Sequence, residues 1–177
     1  MKTQHSLFGL LLAAFCVLNT SCTSYYYMVR HAEKVSSDDN TSLTTAGHQR
    51  ARVLCDSLRN KNVTRIFTSD AIRTQQTAQP TAGLLNITPT TYNRNQGVAN
   101  LEAQLRALTD PNVLVVGHSD NIPALILALT GTSVTTTADG FIPENDFDNF
   151  YIIKRERGLG SDRFSVFRIG TYGAPSP

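Results

Sequence analysis

The chain has 177 residues, with 16 lysines and arginines against 14 aspartates and glutamates, a formal net charge of +2. This length supports one domain with a real core, and the near-neutral balance gives no electrostatic case for nucleic acid as a partner. Three cysteines without a CxxC spacing argue against a disulfide framework or a cysteine-based zinc site.

The N-terminal segment, residues 1–21, is interpreted as an export signal, because Lys2 precedes the apolar run Leu7–Leu18, which is too short to span a bilayer comfortably. Cys22 after Ser21 resembles a lipoprotein processing site, although Asn19 stands where leucine is usual, so ordinary secretion stays open. We expect a bacterial protein that is periplasmic or outer-membrane-associated, with a membrane tether if Cys22 is acylated. Residues 23–177 then form a single domain.

Apolar runs rich in Val, Ile, Phe and Tyr alternate with segments of helical period in the rest of the chain. This alternation predicts a three-layer α/β/α fold around a mostly parallel sheet of about six strands. In chain order the pattern predicts a strand at Tyr25–Val29, a helix from Thr44 to Asn60, a strand at Thr64–Thr68, a helix at Ala71–Leu85 interrupted at Pro80, and an edge strand at Ile87–Tyr92. It continues with a helix at Val98–Leu108, a central strand at Asn112–Val116, a helix with Pro123 in its first turn, and an antiparallel pair at Phe150–Lys154 and Phe164–Ile169.

Three of these strands end in residues suited to binding or reacting with an anion. They lead into Arg30-His31, into Ser69-Asp70 with Arg73, and into Gly117-His118. In a parallel sheet those ends share one edge, where α/β proteins place their ligands. Arg73 falls in the first turn of a helix, where a cation opposes the helix dipole unless an anion is bound there. The convergence favours an anion site.

Other interpretations of these residues remain at this stage. The histidines could be a hydrogen-bonded structural pair, and Arg73 alone could be an exposed side chain. A metal site is disfavoured, because Arg30 and Arg73 would place positive charge beside a dication and no carboxylate stands at regular ligand spacing. We therefore expect no metal.

The same segments together resemble the histidine phosphatase superfamily, with its phosphoglycerate mutase-like fold. The matching pieces are MVRHAEK, SLTTAGHQRA, FTSDAIRTQQTA, VVGHSDNIPALI and the closing TYG. The size resembles the compact bacterial branch that includes phosphohistidine phosphatases such as SixA. Two positions depart from the frequent pattern, where Ala32 replaces a glycine and Asp70 replaces a proline, and neither removes a reacting atom.

The resemblance implies that neutral His31 attacks phosphorus and forms a phosphohistidine that water then hydrolyses. It implies that Arg30, Arg73 and a protonated His118 hold the phosphate oxygens, and that no metal or organic cofactor is required. The two arginines should lower the pKa of His31 and keep its attacking nitrogen unprotonated.

The proton donor for the leaving group is open among three carboxylates. Asp120 ranks first, although it could equally be a helix cap, and Glu102 and Glu33 are the alternatives. Thr44 is expected to be a helix N-cap and His48 a residue outside the chemistry. The polar loops Val35–Thr41 and Thr132–Asp139 could border the substrate entrance.

The leading hypothesis is an exported phosphatase acting on phosphomonoesters, either small molecules or envelope phosphate esters. A SixA-type phosphohistidine protein phosphatase is the nearest alternative, and a mutase is less favoured because the chain is short. A catalytically silent module that only binds phosphorylated ligands is the alternative outside enzymes. The sequence contains no signal for the oligomeric state.

Overall fold

The computed structural model describes residues 23–109, 112–134, 137–158 and 160–176. The predicted export segment and Cys22 lie outside the described residues. In chain order the elements are β1 (Thr23–Arg30), α1 (Thr45–Leu58), β2 (Val63–Ser69), α2 (Ile72–Leu85), β3 (Thr90–Tyr92), a 3₁₀ turn (Arg94–Gln96), α3 (Ala99–Ala107), β4 (Asn112–Gly117), α4 (Asn121–Thr130), β5 (Asn149–Glu156) and β6 (Arg163–Thr171).

The strands form one six-stranded sheet in the order β3-β2-β4-β1-β5-β6. The first four strands of that order pair in parallel, whereas β5 runs antiparallel to both β1 and β6. The predicted α/β fold with a mostly parallel sheet of about six strands is confirmed, and the sheet is mixed. Its topology places the carboxyl ends of β1, β2 and β4 side by side.

The core lies on both faces of the sheet. One face packs against Leu101 and Leu105 of α3 and the apolar side of α4, and the other packs against Leu54 and Leu58 of α1 and Ala78 of α2. The central strands β1 and β4 are covered from both sides, which explains why their sequences are almost continuously apolar. Rigid, buried strands therefore carry the residues at their carboxyl ends.

Two predicted elements differ from the structure. Helix α2 continues through Pro80 without a break, because buried residues before and after the proline, Thr77, Ala78 and Thr81, hold the helix against the core. The proline removes only its own amide from the helix, and its ring is accommodated. Strand β3 is shorter than predicted and begins after Pro89. None of the helices in the described ranges is long and apolar enough to cross a membrane.

Candidate active site

The site lies where β1 and β4 end together. Arg30 and Gly117 are paired in the sheet register, and the amide of His31 donates to the carbonyl of Gly117 at 2.8 Å. The rings of His31 and His118 consequently meet edge to face, with centroids 5.3 Å apart. The predicted convergence of these strand ends is present in the structure.

His31 is held as a neutral imidazole with one nitrogen available. Its Nδ1 lies 2.8 Å from the carbonyl oxygen of Ala32, which can only accept, so Nδ1 carries the proton and Nε2 keeps its lone pair. Burial lowers the pKa of His31 to about 2, and the positive charges of Arg30 and Arg73 act in the same direction. The backbone is fixed from α2, since the Thr77 hydroxyl accepts from the Ala32 amide at 3.0 Å.

Arg30 is anchored by a segment that the sequence analysis did not connect with the site. Its Nη1 donates to the carbonyls of Pro143, Glu144 and Asp146 at 2.7, 2.8 and 3.1 Å, and its guanidinium lies 4.3 Å from the ring centroid of Phe147. Its buried Nε has no hydrogen-bond partner within the described residues, and burial lowers the pKa of this arginine. The contacts orient the cation without neutralising it.

Arg73, in the first turn of α2, is the second buried cation. Its Nη1 donates to the carbonyl of Asp39 at 2.8 Å, and its Nη2 lies 3.2 Å from Nδ1 of His118. Its Nε is buried without a partner in the part of the chain that the structure describes. Burial lowers the pKa of Arg73, and the nearby charge of Arg94 lowers it further. A bound oxyanion would offset both the loss of hydration on burial and the repulsion from Arg94 that the Arg73 cation experiences.

His118 is fixed from both sides of its ring and from its backbone. Nε2 lies 2.8 Å from the Ser69 hydroxyl, and the His118 amide donates to Asn121 Oδ1 at 2.7 Å. Gly117 is required before it, because a Cβ there would collide with that Asn121 oxygen. Burial and then the charge of Arg73 lower the pKa of His118 to about 4. His118 is therefore neutral in the protein without a bound anion, and its protonation when it holds a phosphate stays a prediction.

These side chains open into a cavity of about 300 Å³. The loop Val35–Thr41 contacts two of the residues that line it, because the Asp39 carbonyl accepts from Arg73 and the Asp39 carboxylate forms an ion pair of 2.7 Å with Arg94. The cavity is lined by Arg30, His31, Lys34, Arg73, Arg94, Asn95, His118, Ser119, Asp120 and Phe141. The rim therefore adds two cations, Lys34 and Arg94, to the two at the base.

Sequence reasoning missed these rim residues. Arg94 follows β3, whose end lies at the same sheet edge, so the strand-end argument could have found it. An adjoining cavity of about 330 Å³ shares Arg30, Lys34, Ser119 and Phe141 and reaches Thr137 and Asp139. The second predicted entrance loop thus borders this neighbouring space, apart from residues 135–136, which are outside the described ranges.

Comparison with known proteins agrees with this geometry. Residues 26–95 match the model of the histidine phosphatase superfamily (branch 1). A probable phosphoglycerate mutase, GpmB, of Enterobacter sp. (strain 638) is 31% identical over 127 residues, which cover 68% of this chain and 54% of that protein. The chain thus spans about half the length of the curated relatives it matches.

Solved structures share the fold at low sequence identity. The protein histidine phosphatase SixA in complex with tungstate aligns with a TM-score of 0.64 and 19% identity over 83% of this chain and 96% of that one. A mycobacterial glucosyl-3-phosphoglycerate phosphatase aligns with a TM-score of 0.60 and 17% identity over 86% and 99%.

Residues 26–95 thus match the histidine phosphatase superfamily, and the fold agrees with that match over most of the described chain. The matched segment includes the Arg30-His31 dipeptide and Arg73, and the fold adds His118 from β4. The residues to which the sequence resemblance assigned phosphate binding lie together in the structure. Their catalytic roles here stay predictions.

Of the three candidate proton donors, only Asp120 lines the cavity. Burial lowers the pKa of Arg30, Arg73 and His118, and the negative charge of Asp120 opposes that shift at all three. Its Oδ1 also accepts from the Asn121 amide at 2.7 Å. Asp120 therefore caps α4, as expected, and also lines the cavity.

The structure does not bring Glu102 or Glu33 to this cavity. Glu102 pairs with Arg106 along α3 at 2.8 Å. Glu33 faces the guanidinium of Arg50 at 2.6 Å, and although burial raises its pKa, the hydrogen bonds and charge of Arg50 lower it overall. Both carboxylates are committed to arginines outside the site, so neither stands where the leaving group would need a proton.

The remaining residues singled out in the sequence lie in the framework. Thr44 caps α1 as predicted, accepting from the Gly47 amide at 3.0 Å. His48 is half-buried on α1 and does not line the cavity. Tyr172 of the closing TYG is buried, and its carbonyl accepts from Arg50 at 2.9 Å. Within the described ranges, no group of three or more His, Cys, Asp or Glu side chains could hold a metal ion.

Proposed function

We propose that this chain is a phosphatase that hydrolyses phosphomonoesters through a phosphohistidine formed on His31. The observation that carries the proposal is a neutral imidazole with Nε2 free, set between two buried arginines that have no carboxylate partner among the described residues. Buried cations without counterions favour an anionic ligand, and the adjacent unprotonated nitrogen is a nucleophile. This combination suits phosphoryl transfer better than binding alone.

In the first step the Nε2 lone pair of His31 forms a bond to phosphorus while the bond from phosphorus to the leaving oxygen breaks. Arg30, Arg73 and His118 hold the other phosphoryl oxygens, whose charge must be stabilised as the phosphoryl group moves in line. Asp120, at the cavity wall, enters this step as a carboxylic acid, passes its proton to the leaving oxygen and is left as a carboxylate.

In the second step a water molecule attacks the phosphohistidine. Its proton returns to Asp120, its oxygen forms the new bond to phosphorus, and the bond between nitrogen and phosphorus breaks. Inorganic phosphate leaves and His31 is again a neutral imidazole. The hydrogen bond from Nδ1 to the Ala32 carbonyl holds the ring in one orientation through both steps.

Turnover of a chromogenic aryl phosphate in the presence of a chelator tests the proposal. We expect activity in the wild type, none in His31→Ala, and wild-type activity in His48→Ala, a histidine on α1 that does not line the cavity. If wild type and His31→Ala both bind phosphate but neither turns over any ester in a broad panel, the domain is a binding module.

Asp120 is tested by varying the leaving group. We expect Asp120→Asn to lower kcat/KM by about 100-fold for an alkyl phosphate, whose leaving oxygen needs a proton, and much less for a nitrophenyl phosphate. The ratio of the two losses is the measurement. Equal losses on both esters would remove Asp120 from the role of proton donor.

The rim of the cavity supports a preference for substrates with a second anionic group. Lys34 adds positive charge beyond the four residues that hold the phosphate, and Arg94, which pairs with Asp39, adds a second cationic group at the rim. Two of the similar proteins are named for phosphoglycerate or for its glucosyl derivative, compounds that combine a phosphate with a carboxylate. Binding of 3-phosphonopropionate against propylphosphonate measures this preference without turnover, and equal affinities would contradict it.

Two related activities are separated by product analysis. A SixA-type enzyme would release phosphate from a phosphohistidine protein faster than from esters, and a mutase would return the phosphoryl group to a second position of a phosphoglycerate. We favour hydrolysis of esters because Asp120 offers a carboxyl group for an oxygen leaving group, which a phosphoramidate does not require.

We also propose that the chain is exported, with residues 1–21 as the signal and Cys22 as the candidate lipidated N-terminus. The charge of Lys2 followed by the apolar run Leu7–Leu18 supports this. Mass spectrometry of the native N-terminus tests it: an acylated Cys22 supports a lipoprotein, an unmodified N-terminus near Cys22 supports secretion, and a retained Met1 contradicts both.

A further inference from the structure

A chain of buried hydroxyl groups lies behind His118, on the side away from Arg73. His118 Nε2 is 2.8 Å from Ser69 Oγ, and Ser69 Oγ is 2.9 Å from Thr74 Oγ1. Ser69 and Thr74 are both fully buried. The Thr74 hydroxyl is also 2.7 Å from the carbonyl of Ala71. These hydroxyls are enclosed, so their protons must be shared among the groups they touch.

The direction of this chain follows from its ends. The Ala71 carbonyl can only accept, so the Thr74 hydroxyl donates to it. Ser69 therefore donates to Thr74 Oγ1, and its lone pairs accept from the Ala71 amide and from His118 Nε2. The proton of neutral His118 must then be on Nε2.

The opposite side of the ring leads independently to the same tautomer. A guanidinium can only donate, so the contact of 3.2 Å between Arg73 Nη2 and His118 Nδ1 requires a lone pair on Nδ1. Nδ1 is the nitrogen next to the phosphate-holding arginine. Before an anion binds, Nδ1 of His118 therefore carries no proton, and it must gain one before it can donate a hydrogen bond to a phosphate oxygen.

We propose that Ser69 and Thr74 are positioning residues that lock His118 in the Nε2–H tautomer, so that binding of a phosphate oxyanion takes up a proton at Nδ1. The ring cannot simply move its proton from Nε2 to Nδ1, because Ser69 has no hydroxyl proton left to donate to Nε2. His118 becomes an imidazolium only with the anion present. This inference rests on the phosphate-binding part of the proposed function and goes beyond it by accounting for the proton.

The charges around His118 agree with this coupling. The titratable and charged groups that face it are Arg73 from α2, Arg94 from the 3₁₀ turn, Asp39 from the loop before α1, Asp70 after β2, Asp120 before α4 and His31 after β1. Burial is the largest cause of its lowered pKa, followed by Arg73, while Asp120 and Asp70 act in the opposite direction. A dianion beside Nδ1 would add negative charge where the arginines now repel a proton, and so raise this pKa.

Tungstate is a suitable probe, since it is a dianion near neutral pH with no proton of its own to transfer. We expect calorimetric titrations in buffers of different ionisation enthalpy, near neutral pH and with dilute tungstate, to show uptake approaching one proton for each tungstate bound. Histidine ¹⁵N spectra should show His118 as the Nε2–H tautomer before binding and as imidazolium after it. Uptake near zero, an Nδ1–H tautomer in the free protein, or no tungstate binding would each overturn the proposal.

The hydroxyl chain itself is tested by a matched pair of variants. Thr74→Val removes the acceptor for the Ser69 proton, so Ser69 becomes free to donate to Nε2 and the other neutral tautomer becomes accessible. We expect proton uptake to fall by at least half in Thr74→Val and to be retained in Thr74→Ser. Equal proton uptake in both would overturn the role of the chain. Should Thr74→Val not fold, the wild-type spectra and titrations decide the outcome alone.

This test does not depend on turnover. Coupled proton uptake in a protein that hydrolyses no ester would leave the inference standing and defeat the hydrolytic function. Hydrolysis without proton uptake on oxyanion binding would do the reverse.

Discussion

Four arginines within the described ranges are almost fully buried, and they fall into two pairs with opposite electrostatics. Arg50 and Arg155, 5% and 2% exposed, face the carboxylates of Glu33 and Asp162. Arg30 and Arg73, 3% and 8% exposed, face carbonyl oxygens and a histidine. Burial lowers the pKa in every case, but carboxylate partners outweigh it for the first pair and nothing outweighs it for the second.

The difference separates arginines whose charge is balanced by a carboxylate of the fold from arginines whose charge is not, and we propose that the latter bind a ligand. Arg50 joins Glu33, directly behind the His31 segment, to the backbone of Tyr172 and Ala174 near the C-terminus. Arg155 joins Asp162 to the end of α3 through the carbonyl of Arg106. Arg30 and Arg73 are equally well oriented, yet their charge is uncompensated. A buried charge that the fold leaves unpaired is explained by an anion that binds there.

The largest effect on activity should come from replacing Arg30 or Arg73, the two buried arginines that have no carboxylate partner among the described residues. We expect Arg73→Gln to lower kcat/KM for an aryl phosphate by about 100- to 1,000-fold, because it removes donors aimed at the transferring phosphoryl group. Arg52→Gln, an exposed arginine on α1, is the matched control. Steady-state kinetics measures kcat/KM for the two variants. Equal values would contradict a role in phosphate binding for the arginines without a carboxylate partner.

The largest effect on folding should come from the paired arginines. We expect Arg50→Met to lower the free energy of unfolding by about 3 kcal/mol, because it leaves the Glu33 carboxylate partly buried without its partner. Arg73→Gln should cost far less stability, since it removes a charge that has no counterion. Urea denaturation of the two variants measures the contrast. A larger loss of unfolding free energy in Arg73→Gln than in Arg50→Met would mean that Arg73, and not Arg50, stabilises the fold.

Added phosphate should stabilise the protein only through the unpaired arginines. At a concentration of about 100 times its Kd, inorganic phosphate should raise the free energy of unfolding of the wild type by about 2.7 kcal/mol. The same concentration should have little effect on Arg73→Gln and its full effect on Arg50→Met, if that variant is folded. Thermal denaturation with and without phosphate provides the readout, and stabilisation of all three proteins alike would place the phosphate elsewhere.

The smallest effect, taken per pH unit, is the dependence of stability on pH. Burial holds the pKa of His118 at about 4 in the folded protein, below the ordinary value of 6.5. Between those two values the unfolded chain binds the additional proton, so stability falls as the pH drops through that window, by at most about 1.4 kcal/mol per pH unit from this residue. Urea denaturation at several pH values should show a shallower slope for His118→Gln. An unchanged slope would mean that His118 is not held neutral by burial.

The sequence alone predicted the base of the site, because three apolar strands lead directly into Arg30-His31, Ser69 and Gly117-His118, and parallel strands bring such ends together. It could not predict the carbonyls of Pro143, Glu144 and Asp146 around Arg30, since that segment has neither helical nor strand period and reaches the site only through tertiary contact. The lowered pKa of His118 without a bound anion could not be predicted, because it depends on burial and on the distance to Arg73, which no sequence pattern contains. The helix through Pro80 likewise depends on packing that outweighs local propensity.

The most direct test of a nucleophilic His31 is a rapid-quench experiment with an aryl phosphate, followed by intact and peptide mass spectrometry. We predict an acid-labile, alkali-stable phosphoryl group on the peptide that contains His31, formed at a rate that supports turnover and lost in His31→Ala. Turnover with no such adduct, or an adduct on another residue, would contradict the account.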